Sequence, residues 1–200
     1  MSKLVFRRSN IILMTLLTSS LAGQFIFLCF GIFFLFFLAS AFFTKRTILK
    51  GGRGSRMGVL IIAIVVVVLS RRLRTPLDTS RVLWPQTLAV GIIADIVTLL
   101  GLIVVLWARV TLGGNWSPRV VLKENHELID RGPYAYVRHP IYYGSLLMML
   151  GWAILYGRVT GLILWIICFF GLRFKARQEE RLLTKHFPEA YPRYKARTKA

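Results

Sequence analysis

Ile11–Phe43 runs without one charged side chain, and Gln24 is its only strongly polar residue. Water cannot solvate such a run, and in hydrocarbon its backbone polar groups must be satisfied within the segment, which dictates a helix. At 1.5 Å per residue that helix is roughly 50 Å long, more than the ~30 Å hydrocarbon core of a bilayer. A spanning helix with part of its length along the interface is expected. Four further apolar blocks follow at Gly58–Leu69, Leu88–Ala108, Ile141–Tyr156 and Val159–Leu172. The block at Leu88 meets the roughly 20 residues that a crossing needs. The other three rely on flanking Trp, Tyr, Lys and Arg to reach the interface. The expected class is all-α: a polytopic integral membrane bundle of about five transmembrane helices with a cytoplasmic C-terminal helix, in one domain.

Charge then sets partners and sidedness. The chain carries 27 Lys and Arg against 8 Asp and Glu, a net charge of +19. Nucleic acid is not the expected partner, because no globular region remains to present a groove-reading element. The basic residues flank the apolar blocks instead, where they meet anionic lipid headgroups. They concentrate in 44–57, 109–140 and the C-terminal tail. With five crossings these three share one side, which the positive-inside bias makes cytoplasmic. Lys3, Arg7 and Arg8 at the N-terminus oppose this for the first block. The start of the chain mimics a signal peptide, but the uncharged run continues to Phe43, so an uncleaved first span is expected. Cys29 and Cys168 lie far apart inside apolar blocks, so packing is expected of them, with neither a disulfide framework nor a metal site. The basic, Gly-rich GGRGSRMG (51–58) follows no strand, so it reads as an interfacial loop rather than a phosphate nest.

The chemistry-bearing stretch is RGPYAYVRHPIYYG, residues 131–144, at the mouth of an apolar block. Pro140 suits the first turn of the following helix, where its missing N–H would have been unpaired anyway. That places His139 at or near the N-cap, with the helix's free N–H groups facing the 109–140 loop. Such an end seats a carboxylate or phosphate. Gly132 and Gly144 permit close backbone approach, and Tyr134, Tyr136, Tyr142 and Tyr143 offer flat faces and hydroxyls. The competing interpretation is an aromatic belt with a snorkelling Arg138. A second constellation, FKARQEERLLTKHF (174–187), places Glu179 and Glu180 just past the last apolar block, with Lys175 four residues before Glu179. A solvated helix face with a weak pair of about 0.3–0.5 kcal/mol is the bland interpretation. Against it, Glu179 borders the stripe Leu183, Phe187, Tyr191, Tyr194. The helix from Leu172 is expected to continue to Phe187, where Pro188 interrupts it. Asp95, inside the third block, either handles a proton or substrate or packs as a hydrogen-bonded group.

HELIDRGPYAYVRHPIYYG together with ARQEERLLTKHFPEAYPRY resembles the isoprenylcysteine carboxyl methyltransferase family, and phospholipid N-methyltransferases are similar. The resemblance covers the C-terminal half, from LGGNWSPRVVLKENHELI onward. It implies residues 1–108 as membrane spans and 109–200 as the methyltransferase region. It implies S-adenosyl-L-methionine as cofactor, held by His126, Leu128, Ile129, Tyr134, His139, Pro140, Ile141, Tyr142 and Glu179. Lys175 stands where the eukaryotic enzymes have a substrate-linked arginine, and it cannot reproduce a bidentate clamp. Glu127 replaces an often apolar residue. Methyl transfer from a sulfonium requires positioning more than acid–base machinery, and a carboxylate acceptor requires no general base. The implied activity moves a methyl group to a lipophilic acceptor, such as the carboxylate of a prenylated or lipid substrate, at the cytoplasmic face of an inner or plasma membrane. Two other classes remain at this point: an NADPH-dependent sterol-type reductase with a similar His-Pro-x-Tyr-x-Gly region, and a non-catalytic membrane scaffold.

Overall fold

A computed structural model of the chain describes residues 2–44, 47–50, 82–117, 121–123 and 127–199, with side chains for 21–44, 82–117 and 127–199. Five helices appear: α1 Ser2–Ala41, α2 Leu88–Leu112, α3 Pro140–Tyr156, α4 Val159–His186 and α5 Ala190–Arg197. Leu21–Ala41 of α1, Leu88–Asn115 and Val159–His186 are long and apolar enough to cross a membrane, and α3 is a shorter apolar helix. The all-helical class holds, and the chain is an integral membrane protein. One departure lies among the described residues: an antiparallel ribbon pairs β1, Thr47–Lys50, with β2, Val121–Lys123. β1 ends directly before GGRGSRMG, so the expectation that no strand precedes that run is corrected; the run itself and the expected block at Gly58–Leu69 lie outside the described residues. No break divides α1 into interfacial and spanning parts; it runs 40 residues as one helix.

Two ends of the bundle are distinguishable by their contacts. At one end, the ribbon joins the chain just after α1 to the chain just after α2. Arg109 reinforces this junction. It is only 3% exposed, and it donates to the Gly113 carbonyl and to the Ser40 carbonyl, each at 2.7 Å. Its guanidinium also lies 4.7 Å from the Trp116 ring centroid. One charged group thereby satisfies carbonyls that the C-terminal ends of two helices leave unpaired. At the other end, the Trp84 indole donates to the Ile154 carbonyl at 2.9 Å, and Leu83 N–H donates to Gly157. There Thr87 caps α2 by accepting from Val90 N–H. α1 and α2 therefore run in the same direction, α3 returns against them, and α4 reverses again.

The tightest packing is between α2 and α3. A Cβ built at Gly101 would stand 2.6 Å from the Gly144 carbonyl oxygen, so the two backbones touch where neither has a side chain. Small residues at a membrane helix interface let dispersion act between backbones, since burial from lipid supplies no hydrophobic gain. Behind this contact sits a core of Cys29, Leu102, Val105 and Met148, flanked by Phe25, Phe33 and Phe37. Cys29 and Cys168 are both buried and free, as packing residues are. Asp95 is half-buried in α2, and its Oδ1 has no hydrogen-bond partner among the described residues.

Candidate functional site

Residues 127–139 bring the chain to the start of α3. Gly132, at φ 59°, opens a short 3-10 turn over Gly132–Ala135. The turn carries Tyr134 inward, where it is 7% exposed. His139 is the N-cap of α3 and Pro140 occupies its first turn, as the sequence predicts. A residue before proline is kept out of the helical region, and His139 accordingly sits at φ −129°, ψ 58°. Its ring is thereby turned across the helix end toward α4. There it stacks on the Tyr142 ring, with centroids 5.3 Å apart and planes within 4°.

α4 supplies the acidic partners. The Tyr142 hydroxyl donates to Glu179 Oε1 at 2.6 Å. His139 lies between two carboxylates, with Nδ1 3.7 Å from Glu179 Oε2 and Nε2 3.4 Å from Glu180 Oε1. Lys175 Nζ also stands 5.1 Å from the Tyr142 ring centroid. One phenol therefore joins a carboxylate, an imidazole and an ammonium. Burial pushes the Tyr134 phenol well above its ordinary value, and the Glu179 carboxylate adds to the effect. Tyr134 is thus a neutral donor near the same carboxylate.

The neighbouring carboxylate corrects an expectation. Glu180 is not part of a solvated helix face. Its Oε1 accepts from Arg138 Nε at 2.9 Å and its Oε2 from Lys195 Nζ at 2.9 Å. Arg138 does not snorkel either: its side chain is 8% exposed, and its Nη1 donates to the Thr198 carbonyl at 2.6 Å. These bonds strap α5 onto the 134–138 loop. Arg138 N–H donates to the Lys199 carbonyl, and Lys199 N–H donates to the Tyr136 carbonyl. The Tyr194 hydroxyl donates to the Tyr134 carbonyl at 2.8 Å, while Tyr191 is 1% exposed beneath. The bland interpretation of both glutamates as a solvated face therefore fails, for different reasons at the two positions.

Of the residues expected to hold a cofactor, the fold gathers Tyr134, His139, Pro140, Tyr142 and Glu179. Pro140 is buried and Ile141 half-buried in the first turn of α3, and Leu128 and Ile129 are half-buried in the irregular segment leading in. Glu127 is exposed, and His126 lies outside the described residues. Lys175 lies on the Tyr142 side of α4. Three residues emerge only from the structure: Glu180 as an ion-pair centre, Tyr194 as a bond to the loop, and Arg109 behind Tyr134. Arg109 had one visible signal, a lone charge at the end of an apolar helix.

The comparisons with known proteins fall on this region. Residues 93–185 match the model of the isoprenylcysteine carboxyl methyltransferase family. The chain is similar to the Protein-S-isoprenylcysteine O-methyltransferase of Schizosaccharomyces pombe, with 36% identity over 93 residues, covering 44% of this chain and 39% of that protein. It thus spans about two fifths of the length of this curated relative. The matched segment contains α3, most of α2 and nearly all of α4, and so every residue of the Tyr142 constellation.

Proposed function

We propose that this chain is a membrane methyltransferase that transfers a methyl group from S-adenosyl-L-methionine to a lipophilic acceptor, the carboxylate of a prenylated or lipid substrate. The observation that carries this reading is the joining of Tyr142 to Glu179, His139 and Lys175 inside the segment that matches the methyltransferase family. Both that family and the yeast relative are named for methyl transfer, which favours this reading over a reductase. Residues 1–108 would form the membrane scaffold and 109–200 the transferase region.

The residues present fit the cofactor in two respects. Glu179 Oε1 is engaged by Tyr142, but its Oε2 lies 3.7 Å from His139, beyond a hydrogen bond. That oxygen therefore retains capacity to accept from a hydroxyl or amino group. The rings of Tyr134 and Tyr142 are of the kind that attracts a sulfonium, and Lys175, 5.1 Å from the Tyr142 centroid, would have to move aside for one to sit on that ring. When bound, S-adenosyl-L-methionine supplies a methyl group on a good leaving sulfur. The chain's own work is then to bind and orient. Glu179 accepts, Tyr134 and Tyr142 shape an aromatic wall, and the start of α3 with His126, Leu128, Ile129, His139, Pro140 and Ile141 completes the cofactor surface. Lys175 faces the acceptor's negative charge.

Titration of the purified protein with S-adenosyl-L-methionine and, separately, with NADPH tests the reading. The methyl donor is expected to bind and NADPH not to bind. His139→Ala and Tyr134→Ala should weaken donor binding while the protein stays folded in detergent, and His186→Ala should leave it unchanged. NADPH binding without donor binding, or equal donor affinity in all three variants, would remove the assignment.

A further inference from the structure

His139 and Tyr142 line an open apolar cleft of about 410 Å³ between α3 and α4, together with Leu146, Phe169, Leu172 and Arg173. His139 and Arg173 also line an open polar cleft of about 550 Å³, which extends to Arg138, Arg177 and Lys195. The two clefts therefore belong to the site already described and form its basic mouth and its apolar depth. From Phe169 to Arg177 the α4 wall runs about 12 Å along the helix axis. The Trp165 indole donates to the Leu146 carbonyl at 2.9 Å and ties the two helices together beside the apolar part. A lipophilic acceptor that reaches His139 and Tyr142 by this passage lays its chain against Leu146 and Phe169. Its polar end then lies in the basic mouth.

The charge at that mouth is not balanced. Arg138 and Lys195 are both engaged by Glu180. Arg173 and Arg177 are exposed and four residues apart, and so are neighbours on the surface of α4. Neither makes a hydrogen bond or ion pair among the described residues. A carboxylate held at Lys175 does not serve them. At 100° per residue, Lys175 stands about 200° around α4 from Arg173, on the flank that carries Glu179. We propose that the acceptor carries a second anionic group, apart from the carboxylate that receives the methyl group, and that Arg173 and Arg177 select it. This inference rests on the methyltransferase reading and narrows its substrate class to a lipophilic dianion. The chain fills the apolar cleft, one charge lies at the reacting carboxylate, and the other lies at the mouth. A guanidinium meets an oxyanion through two parallel N–H bonds, a fork that lysine does not offer. An acceptor with a neutral or cationic polar end leaves both arginines unanswered, and discrimination comes from that difference.

The test uses the full chain in detergent and two prenylcysteine acceptors with the same prenyl chain, one N-acetylated and one N-phosphonoacetylated. Both carry the carboxylate, and they differ by one phosphonate. Calorimetric titration without the methyl donor reads binding, and labelled-methyl transfer into an alkali-labile ester reads turnover. The parent should bind the phosphonate acceptor roughly 10-fold more tightly, the lower end for charge-assisted bonds because water screens exposed arginines. The double variant R173Q/R177Q should bring the two affinities to within about twofold of each other. It should keep its thermal midpoint, because neither side chain has a partner to lose among the described residues. Equal affinity of the parent for the two acceptors would overturn the proposal before any variant is made. So would a preference that R173Q/R177Q retains in full. Turnover separates this inference from the reading beneath it. Ester formation from the N-acetyl acceptor without a phosphonate preference would overturn the second anion and leave methyl transfer standing. A phosphonate preference in binding with no ester from either acceptor would overturn both.

Discussion

Glu179 and Glu180 are adjacent, and both lie near His139, yet the structure gives them different work. Glu179 has one engaged oxygen and one with room for a ligand, whereas Glu180 is saturated by protein cations. Glu179→Gln should therefore weaken S-adenosyl-L-methionine binding with little change in stability. A charge-assisted hydrogen bond contributes about 1.5–3 kcal/mol, or roughly 10- to 150-fold in affinity. Glutamine retains one acceptor oxygen, so the lower end is expected, with Glu179→Ala worse. Glu180→Gln should instead lower stability by about 1–3 kcal/mol, since Arg138 is left half-buried beside a neutral amide. Calorimetric titration and thermal unfolding of the variants separate the two. Equal affinity loss with equal destabilisation would contradict the division. In the sequence, both glutamates sit on one helix past an apolar block, and helical spacing alone marks Glu179. Spacing cannot show that Arg138 and Lys195 converge on Glu180, because they come from segments 42 and 15 residues away.

At the scale of elements, α5 acts as a strap across the loop that carries Tyr134. Burial pushes the Tyr194 phenol up to about 12, opposed by nearby Arg138. Its bond to the Tyr134 carbonyl favours the protonated phenol in the folded state. With the folded value above the unfolded value near 10, this contribution is complete below about pH 10 and is lost as pH rises toward 12. Tyr194→Phe should cost about 1 kcal/mol at neutral pH and should flatten the fall in stability over that alkaline interval. A variant that unfolds along the parent's pH curve would contradict the role of the phenol. The continuation of α4 to His186 and the stop near Pro188 are legible in the sequence, because apolar spacing and proline chemistry are local. The strap is not. Tyr191 and Tyr194 read as an apolar stripe, and their docking on residues 134–138 depends on tertiary contacts that no local pattern encodes. The same holds for the ribbon of β1 and β2, four and three residues long, too short for a pattern to declare itself.

At the scale of the whole molecule, the C-terminal ends of α1, α2 and α4 gather with the N-terminus of α3 at one end of the bundle, together with α5. From the positive-inside bias of the sequence we propose that this end faces the cytoplasm. Cysteines introduced at Lys123 and Lys199, with Cys29 and Cys168 replaced, should resist a membrane-impermeant thiol reagent in intact cells and react after permeabilisation. Labelling of both in intact cells would reverse the orientation. The membrane class and most helix positions were legible because hydrophobic runs longer than a core helix have few other homes. The close α2–α3 contact at Gly101 and Gly144 was visible only in part, as a glycine whose backbone partner the sequence does not name. The central claim joins site, chemistry and sidedness, and one measurement addresses all three. Membranes containing the protein are prepared as right-side-out and as inverted vesicles, each given S-adenosyl-L-methionine carrying a labelled methyl group and a prenylcysteine carboxylate acceptor. Label should enter the lipophilic fraction as an alkali-labile ester in inverted vesicles, and in right-side-out vesicles only after they are opened. Label in neither preparation after opening, or transfer confined to sealed right-side-out vesicles, would contradict it.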